Sequence, residues 1–260
     1  GTGIGAAISR ELARLGATVV IASRKQENID RAAVGLSKQT GREVFGEVCD
    51  IRDRDGVTAF VGRVMEKHGR IDLLVNNGGG QFFSPAEQIR PKGWDAVIET
   101  NLTGTWNITR AIADAWMLEN GGRVVNITML TRRTFPGMAH SVSARAGVEA
   151  MTRTLAVEWA ARGILLNSIA PGYIASSGLK RYPMGVEWLT GTMIPTVPLK
   201  RLGTCDEIAW LVAYLASPAG GYITGQTMTV DGGRELWGDY WPIPDPAEIA
   251  VELEDDPWES

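Results

Sequence analysis

The glycine-rich start of the chain, together with the helix and strand patterns that follow it, constrains the fold most. Residues 1–5 read Gly-Thr-Gly-Ile-Gly, and apolar side chains then recur at helical spacing as far as Leu15, before Gly16. The β-branched run Val19–Ile21 suits a strand that is covered on both faces of a parallel sheet. Glycines just ahead of a helix let backbone N–H groups approach a phosphate, and the helix dipole favours that anion. The stretch therefore predicts a phosphate-binding turn, a helix and a buried strand.

A turn of this kind needs a strand before it. The chain begins inside the turn, so we expect a central strand of the sheet to precede Gly1, together with any targeting signal.

Composition restricts the function classes. A chain of 260 residues, 44% of them hydrophobic, can bury one large α/β core. The net charge of −4 argues against general nucleic-acid binding. Two cysteines cannot build a disulfide framework, which suits a reducing compartment. With only two histidines, a His/Cys metal site is not expected. No apolar run reaches the ~18 residues needed to span a bilayer, so no membrane segment is expected.

Short apolar runs alternate with helical patterns along the chain, which predicts a Rossmann-like, doubly wound parallel sheet in a single α/β domain. We expect strands at 19–21, 43–48, 71–75, 123–127, 164–170 and 227–231, and helices at 26–40, 53–67, 92–119, 141–161 and 204–215. Thr204 and Glu207 form a capping-box pattern. The domain is expected to cover residues 1–236, with a mobile lid at 173–203, and a Pro-rich acidic tail follows at 237–260.

In such a sheet the ligand lies across the carboxyl ends of the strands. Ser23, Arg24 and Lys25 follow the first strand, and no carboxylate appears before Glu27. Two adjacent cations there favour NADP over NAD, unless they are simply solvated charges. Asp50 is placed either to accept a hydrogen bond from adenine or to cap the next helix. Residues 77–80 offer bare backbone beside the cofactor, or an ordinary loop.

These motifs resemble the short-chain dehydrogenases/reductases over nearly the whole chain. The matching elements are residues 1–5, Asn76-Asn77-Gly78-Gly79, Asn101, Asn126-Ile127, Pro171-Gly172, Ile223–Gln226 and Asp231–Gly233. Within that family, residues 20–25, 76–87 and 143–148 are similar to peroxisomal trans-2-enoyl-CoA reductase and, more distantly, 2,4-dienoyl-CoA reductase. The resemblance implies NADP(H) as cofactor, an acyl-CoA thioester as substrate and reduction of a carbon–carbon double bond.

The resemblance also implies a set of site residues. The expected cofactor-binding residues are Gly1, Thr2, Gly3, Ile4, Ser23, Arg24, Lys25, Asp50, Ile51, Asn77, Gly78, Gly79, Arg145, Pro171, Gly172 and Ile174. The expected catalytic residues are Asn101, Thr128, Ser141 and Arg145.

One departure from the family pattern bears directly on the reaction. The typical family member has a Tyr-x-x-x-Lys pair opening the long helix after the fifth strand of the complete sheet, whereas this chain has Ser141 and Arg145. The family's catalytic serine appears as Met129, with Thr128 beside it. The far higher pKa of a serine hydroxyl makes it a poor proton donor to a ketone's developing alkoxide. Reduction of a conjugated double bond requires only hydrogen-bond donors that stabilise the oxygen of a thioester enolate. The departure therefore favours enoyl reduction.

For several other residues the sequence leaves more than one interpretation open. Ser143 joins Ser141, Thr128 and Asn101 as a candidate donor, and Asn101 carries a water, bends its helix or faces solvent. Tyr173 supplies a proton or packs beside the cofactor. Arg132, Arg133, Lys180 and Arg181 meet CoA phosphates or are solvated, and Met184, Trp188 and Met193 line an acyl tunnel or pack within the lid.

Two other functions compete with enoyl reduction, namely an alcohol or carbonyl dehydrogenase-reductase and a degenerate NADP(H)-binding protein. The helices at 92–119 and 141–161 carry Trp94, Trp106, Trp116, Met151 and Trp159, which predicts a homodimer or homotetramer. The C-terminal residues are not a Ser-Lys-Leu-like address, so a cytoplasmic, bacterial setting is expected.

Overall fold

The computed structural model describes residues 2–133, 135–179, 185–239 and 241–247. Six strands alternate with helices in these ranges. The strands are β1 Val19–Ser23, β2 Val44–Val48, β3 Leu73–Asn76, β4 Gly122–Ile127, β5 Ile164–Pro171 and β6 Thr227–Val230. The helices are α1 Gly3–Arg14, α2 Gln26–Thr40, α3 Arg54–His68, α4 Pro91–Ile98, α5 Gly104–Ile112, α6 Leu118–Asn120, α7 Ala139–Glu158, α8 Gly185–Trp188 and α9 Cys205–Ala216.

All the strand pairings in the described residues are parallel. Strand β1 pairs with β2, while β3, β4, β5 and β6 pair in that order in a second sheet. The parallel sheet and the alternating helices confirm the predicted Rossmann-like architecture. The strand expected before Gly1 stays a prediction.

Helices cover both faces of the β3–β6 sheet. On one face, Phe60 and Val64 of α3 pack with Ile108 of α5 and Leu155 of α7. On the other face, α1 and α9 pack together around apolar side chains such as Ile8 and Ile208. None of the helices in the described residues combines the length and the apolar character that crossing a membrane requires.

The aromatic surface predicted for subunit assembly is smaller than expected. Trp159 is buried, and Trp116 and Met151 pack against the same core cluster as Leu155. Trp94 and Trp106 are 39% and 36% exposed. These three side chains therefore fill the space between the helices and the sheet, and only Trp94 and Trp106 offer surface for the assembly, which stays a prediction.

Two π-helical segments interrupt the long helix that was predicted at 92–119. They span Glu99–Thr103 and Ala113–Met117, and they separate α4, α5 and α6 within one helical run. Asn101 lies in the first of them. The predicted capping box of α9 is present, with both Thr204–Glu207 hydrogen bonds formed.

A chain of buried polar side chains crosses three strands beneath the carboxyl edge of the sheet. Asn76 Nδ2 donates to Asn126 Oδ1 (2.8 Å), and Asn126 Nδ2 donates to Thr152 Oγ1 (2.8 Å). The Thr152 hydroxyl also lies 2.9 Å from that of Ser168 on β5. Because these groups are buried, their hydrogen bonds are made with one another, with Thr109 and with the Val148 carbonyl.

We expect Asn126→Ala to lower the free energy of unfolding by about 2–3 kcal/mol, because it removes one partner each from Asn76 and Thr152 in a buried network. Urea denaturation followed by circular dichroism measures the loss. Asn28→Ala on the exposed face of α2 is the matched control and should change stability by less than about 0.5 kcal/mol. Equal midpoints for the two variants would contradict the assigned role of the network.

Candidate active site

A buried guanidinium connects the ends of two central strands. Arg145, on the second turn of α7, donates through Nη1 to the carbonyl oxygen of Ile127 (2.9 Å) and through Nη2 to that of Gly78 (3.4 Å). It is 8% exposed, and burial lowers its pKa to about 10, so it stays charged at neutral pH. In the described part of the chain no carboxylate pairs with it. The site thus holds a positive charge that is neutralised by no described side chain.

The loop after β3 lies directly over this guanidinium. A Cβ atom on Gly79 would stand 2.0 Å from Arg145 Nη2 and 3.1 Å from Asn101 Oδ1, so a side chain there would have to displace the guanidinium. Asn101 is fully buried, and its Oδ1 accepts from the Gly80 N–H (2.9 Å) while its Nδ2 donates to the Gly80 carbonyl (3.0 Å). Both ends of the Asn101 amide therefore hold the loop, and the interpretation that it faces solvent was wrong.

The N-terminal turn lies beside the same loop. Gly3 has φ +53°, and a Cβ there would meet Ser176 after β5 at 3.3 Å. A Cβ on Gly5 would stand 2.6 Å from Asn77 Nδ2. The expected cofactor residues Thr2, Gly3 and Ile4 at the start of α1 are thus next to Asn77, while Gly1 lies outside the described residues.

The ends of β1 and β2 carry the other predicted cofactor residues. Arg24 and Lys25 are exposed after Ser23. The Asp50 carboxylate accepts hydrogen bonds from the Arg52 side chain, which lower the pKa of Asp50 to about 2, and the charge of Arg24 contributes less. The capping interpretation of Asp50 was wrong, because Asp53 is the N-cap of α3.

Ile51 and the residues after β5 complete the predicted cofactor set. The Ile51 side chain packs against Gly78, and its carbonyl accepts from Asn107 Nδ2 (3.0 Å). Pro171 ends β5, and a Cβ on Gly172 would stand 2.7 Å from the Asp231 backbone. Ile174 is buried and bridges to Gly203, so it serves packing in this structure.

Ser141 is wholly buried at the start of α7. Its hydroxyl donates to Gln81 Oε1 (2.8 Å) and lies 3.5 Å from Met129 Sδ. The buried Thr128 hydroxyl lies 3.1 Å from the Ile169 carbonyl oxygen and 3.3 Å from Glu149 Oε1. The two hydroxyls expected to face a substrate are therefore engaged within the protein.

Comparison with known proteins gives the family. Residues 1–235 match the family model described as Enoyl-(Acyl carrier protein) reductase. The peroxisomal 2,4-dienoyl-CoA reductase of Danio rerio is 38% identical over 237 residues, which are 91% of this chain and 79% of that protein.

This chain belongs to the short-chain dehydrogenase/reductase superfamily. It is an oxidoreductase of that superfamily, but its relatives differ in reaction. The 3-oxoacyl-[acyl-carrier-protein] reductase FabG of Thermotoga maritima is 34% identical, over 89% of this chain and 93% of that protein. A variant of actinorhodin polyketide ketoreductase, solved with NADPH, is 30% identical with a TM-score of 0.85, covering 91% of this chain and 94% of that one.

The geometry of this superfamily member fits a nicotinamide dinucleotide. The bare Gly78–Gly79 backbone and the start of α1 form a cradle that side chains would fill, and Arg145 adds a buried positive charge. Both features suit the phosphates and ribose hydroxyls of such a ligand.

The remaining predicted residues divide between packing and surface. Tyr173 packs edge-on against Phe135 (6.3 Å between centroids) and joins the cluster around Ile194. Met193 is buried and Ser143 is exposed. Arg133 donates to the carbonyl oxygens of Arg234 and Trp237, whereas Lys180, Arg181 and Met184 lie outside the described residues.

Sequence reasoning assigned no role to three residues that the structure brings to the site. Gln81 contacts Ser141, and Glu149 accepts from Thr131 (2.9 Å) while burial raises the pKa of its carboxyl group. His140 is fully buried, stands edge-on to the Phe82 ring, and has its pKa lowered by burial. The sequence signals were the position of Gln81 directly after the glycine run and of His140 directly before Ser141.

We expect Gly79→Ala to raise the Kd for NADPH about tenfold or more, because the new methyl group displaces the Arg145 guanidinium from Gly78. Fluorescence titration measures the change. Gly62→Ala is the control, since a Cβ there meets nothing within 4 Å on exposed α3. It should leave the Kd unchanged and stabilise the fold by ~0.5–1 kcal/mol. Unaltered NADPH binding by Gly79→Ala would remove Arg145 and its loop from the cofactor site.

Proposed function

We propose that this chain is an NADPH-dependent reductase of the carbon–carbon double bond in an enoyl-CoA or dienoyl-CoA thioester. The observation that carries the proposal is the Ser141–Arg145 pair on α7, where the family's general acid is replaced by a buried serine. The similarity to 2,4-dienoyl-CoA reductases supports the same choice.

The chemistry of the two reactions explains why this pair favours one of them. Reduction of a ketone leaves an alkoxide that needs a proton from an acid of matched pKa. A serine hydroxyl with an unperturbed pKa far above neutrality does not meet that need. Reduction of a conjugated double bond places the charge on the thioester oxygen, where hydrogen-bond donors stabilise the enolate without giving up a proton.

The residues of this chain would hold the cofactor in a defined way. NADPH supplies the hydride when it is bound. Arg145 would hold the nicotinamide ribose and keep positive charge close to the developing negative charge, while Gly78 and Gly79 allow close approach. The start of α1 would receive the pyrophosphate through its N–H groups.

We further propose that Arg24 and Lys25 select NADP(H) over NAD(H). Both follow β1, both are exposed, and no acidic residue comes between them and Glu27 in the sequence. An arginine can bind the 2′-phosphate through two N–H groups at once. A free ribose hydroxyl in NAD(H) gains nothing comparable from these cations.

A second candidate is reduction of a 3-oxoacyl thioester, because a 3-oxoacyl-[acyl-carrier-protein] reductase is 34% identical over most of the chain. It would require a proton donor other than Ser141. We also propose that Trp94 and Trp106 form part of a homodimer or homotetramer contact.

The purified protein should oxidise NADPH with 2-enoyl-CoA or 2,4-dienoyl-CoA and yield a product with one fewer double bond. Absorbance at the NADPH band together with mass spectrometry of the thioester identifies the reaction. Turnover of 3-oxoacyl thioesters alone would select the second candidate, and NADPH binding without turnover of any thioester would leave a non-catalytic protein.

Arg24→Ala should raise KM for NADPH at least about tenfold and leave KM for NADH nearly unchanged, because it removes a charge-assisted contact to the 2′-phosphate. Steady-state kinetics with both cofactors measures the split. Arg42→Ala, an exposed arginine just before β2, should change neither value. A parallel rise for both cofactors in Arg24→Ala would contradict 2′-phosphate recognition.

A further inference from the structure

A lysine ends the turn at residues 195–200 in a backbone conformation that lysine seldom adopts. Lys200 has φ +53°, in the left-handed region, and its N–H donates to the Val197 carbonyl oxygen (2.9 Å). Such a φ is uncommon outside glycine, and it persists where the surrounding structure stabilises it. Contacts of the Lys200 side chain therefore have to compensate for an unfavourable backbone conformation.

The Lys200 ammonium group makes these contacts. Its Nζ donates to the Pro195 carbonyl oxygen (2.7 Å), pairs with Asp245 Oδ1 (2.8 Å) and stands 4.9 Å from the centroid of the Trp237 ring. The Lys200 side chain is 9% exposed, so water and salt screen the ammonium less than they screen a surface lysine. One ammonium group thus ties the 195–200 turn to two residues near the end of the described chain.

The same part of the chain holds the loop after β4 (residues 128–133). Arg133 Nη1 donates to the carbonyl oxygens of Arg234 (3.1 Å) and Trp237. Arg133 Nη2 lies 3.6 Å from Asp239 Oδ2. Trp237 is therefore bound from two different elements, through its carbonyl oxygen by Arg133 and through its ring by Lys200.

Both of these elements lie beside predicted site residues. The loop after β4 carries Met129, whose Sδ lies 3.5 Å from the Ser141 hydroxyl. The 195–200 turn leads into Gly203, which bridges to Ile174 in the segment after β5. Residues near the C-terminus therefore connect two parts of the chain that border the site.

We propose that Lys200 is a positioning residue for substrate binding. It acts through residues 234–239 and 241–245, here called the C-terminal strap, which fix the 195–200 turn relative to the loop after β4. The strap keeps the two elements at a constant separation, so the cleft is formed before the substrate arrives. That the substrate is a thioester rests on the proposed function, whereas the connection between the two elements does not.

The first test removes the charge and keeps most of the stem. In Lys200→Met, hydrogen–deuterium exchange of the 195–200 amides should become about tenfold faster, because the contacts that stabilise the turn are lost. KM for the thioester should rise about fivefold or more, with kcat within about twofold of the wild type, because the competent form of the cleft becomes less populated. Lys38→Met, an exposed lysine on α2, should change none of these values.

The two readouts separate the two proposals. Exchange at the wild-type rate in Lys200→Met would overturn the strap, whatever the substrate is. Faster exchange with an unchanged KM would overturn the positioning role. A wild type that reduces no thioester would overturn the proposed function, and the exchange rates would then decide on the strap by themselves.

The variant Lys200→Gly separates the ammonium group from the backbone. Glycine adopts φ +53° without strain, so a residue required only for the turn would be improved by this change. Because the proposal assigns the role to the ammonium group, Lys200→Gly should show faster exchange at 195–200 and a higher KM than the wild type. Exchange at or below the wild-type rate would contradict the proposal.

A double-mutant cycle tests whether Lys200 and Arg133 act through the same strap. Arg133→Met should also raise KM for the thioester. The Lys200→Met/Arg133→Met double variant should have about the KM of the more affected single variant, because either change alone releases one end of the strap. Increases in KM that multiply would indicate that Arg133 contacts the substrate independently, for example its phosphates, and would overturn the inference.

Discussion

The hydrogen bonds of the Arg145 guanidinium are the interaction on which the site depends. They join the carbonyl oxygen of Ile127, at the end of β4, to that of Gly78, just after β3, so one side chain holds two strand ends together. Burying a cation against neutral carbonyl groups is unfavourable, and the lowered pKa of Arg145 reflects that. An anionic or hydroxyl-rich ligand at this edge would recover part of that free energy. Binding of such a ligand would therefore stabilise the protein around Arg145.

The glycine loop and the π-helical segment follow from that arrangement. Because the guanidinium fills the space beneath Gly79, a side chain at that position would displace it, and the loop next to it is held through its backbone. Asn101 does this from a π-helical turn, a departure from α-helical geometry that often occurs at functional sites. Two irregular elements of the backbone thus meet at Gly80.

Sequence patterns predicted most of the fold and only part of the site. The helix predicted at 26–40 agrees with α2, and the capping box of α9 was found, because periodicity and capping depend on residues a few positions apart. The π-helical segments carry no comparable local pattern. For Asp50 the cap role was wrong, because Asp53 caps α3, while the adenine role stays a prediction; the Arg52 side chain that binds the Asp50 carboxylate was not anticipated. The contact between Ser141 and Gln81 joins residues 60 positions apart, which no local pattern specifies.

The replacement of a tyrosine by a serine changes reach as well as acidity. A phenol extends several ångströms beyond a serine hydroxyl, so a serine at the same helical position cannot touch a substrate that a tyrosine would touch. Two flexible side chains occupy the vicinity of Ser141, Met129 with its sulfur at 3.5 Å and Gln81 with its amide oxygen at 2.8 Å. Together these two side chains enclose the serine hydroxyl, which has no exposed surface. A serine hydroxyl enclosed in this way neither reaches an alkoxide nor has the acidity to protonate it, so geometry and acidity both weigh against ketone reduction.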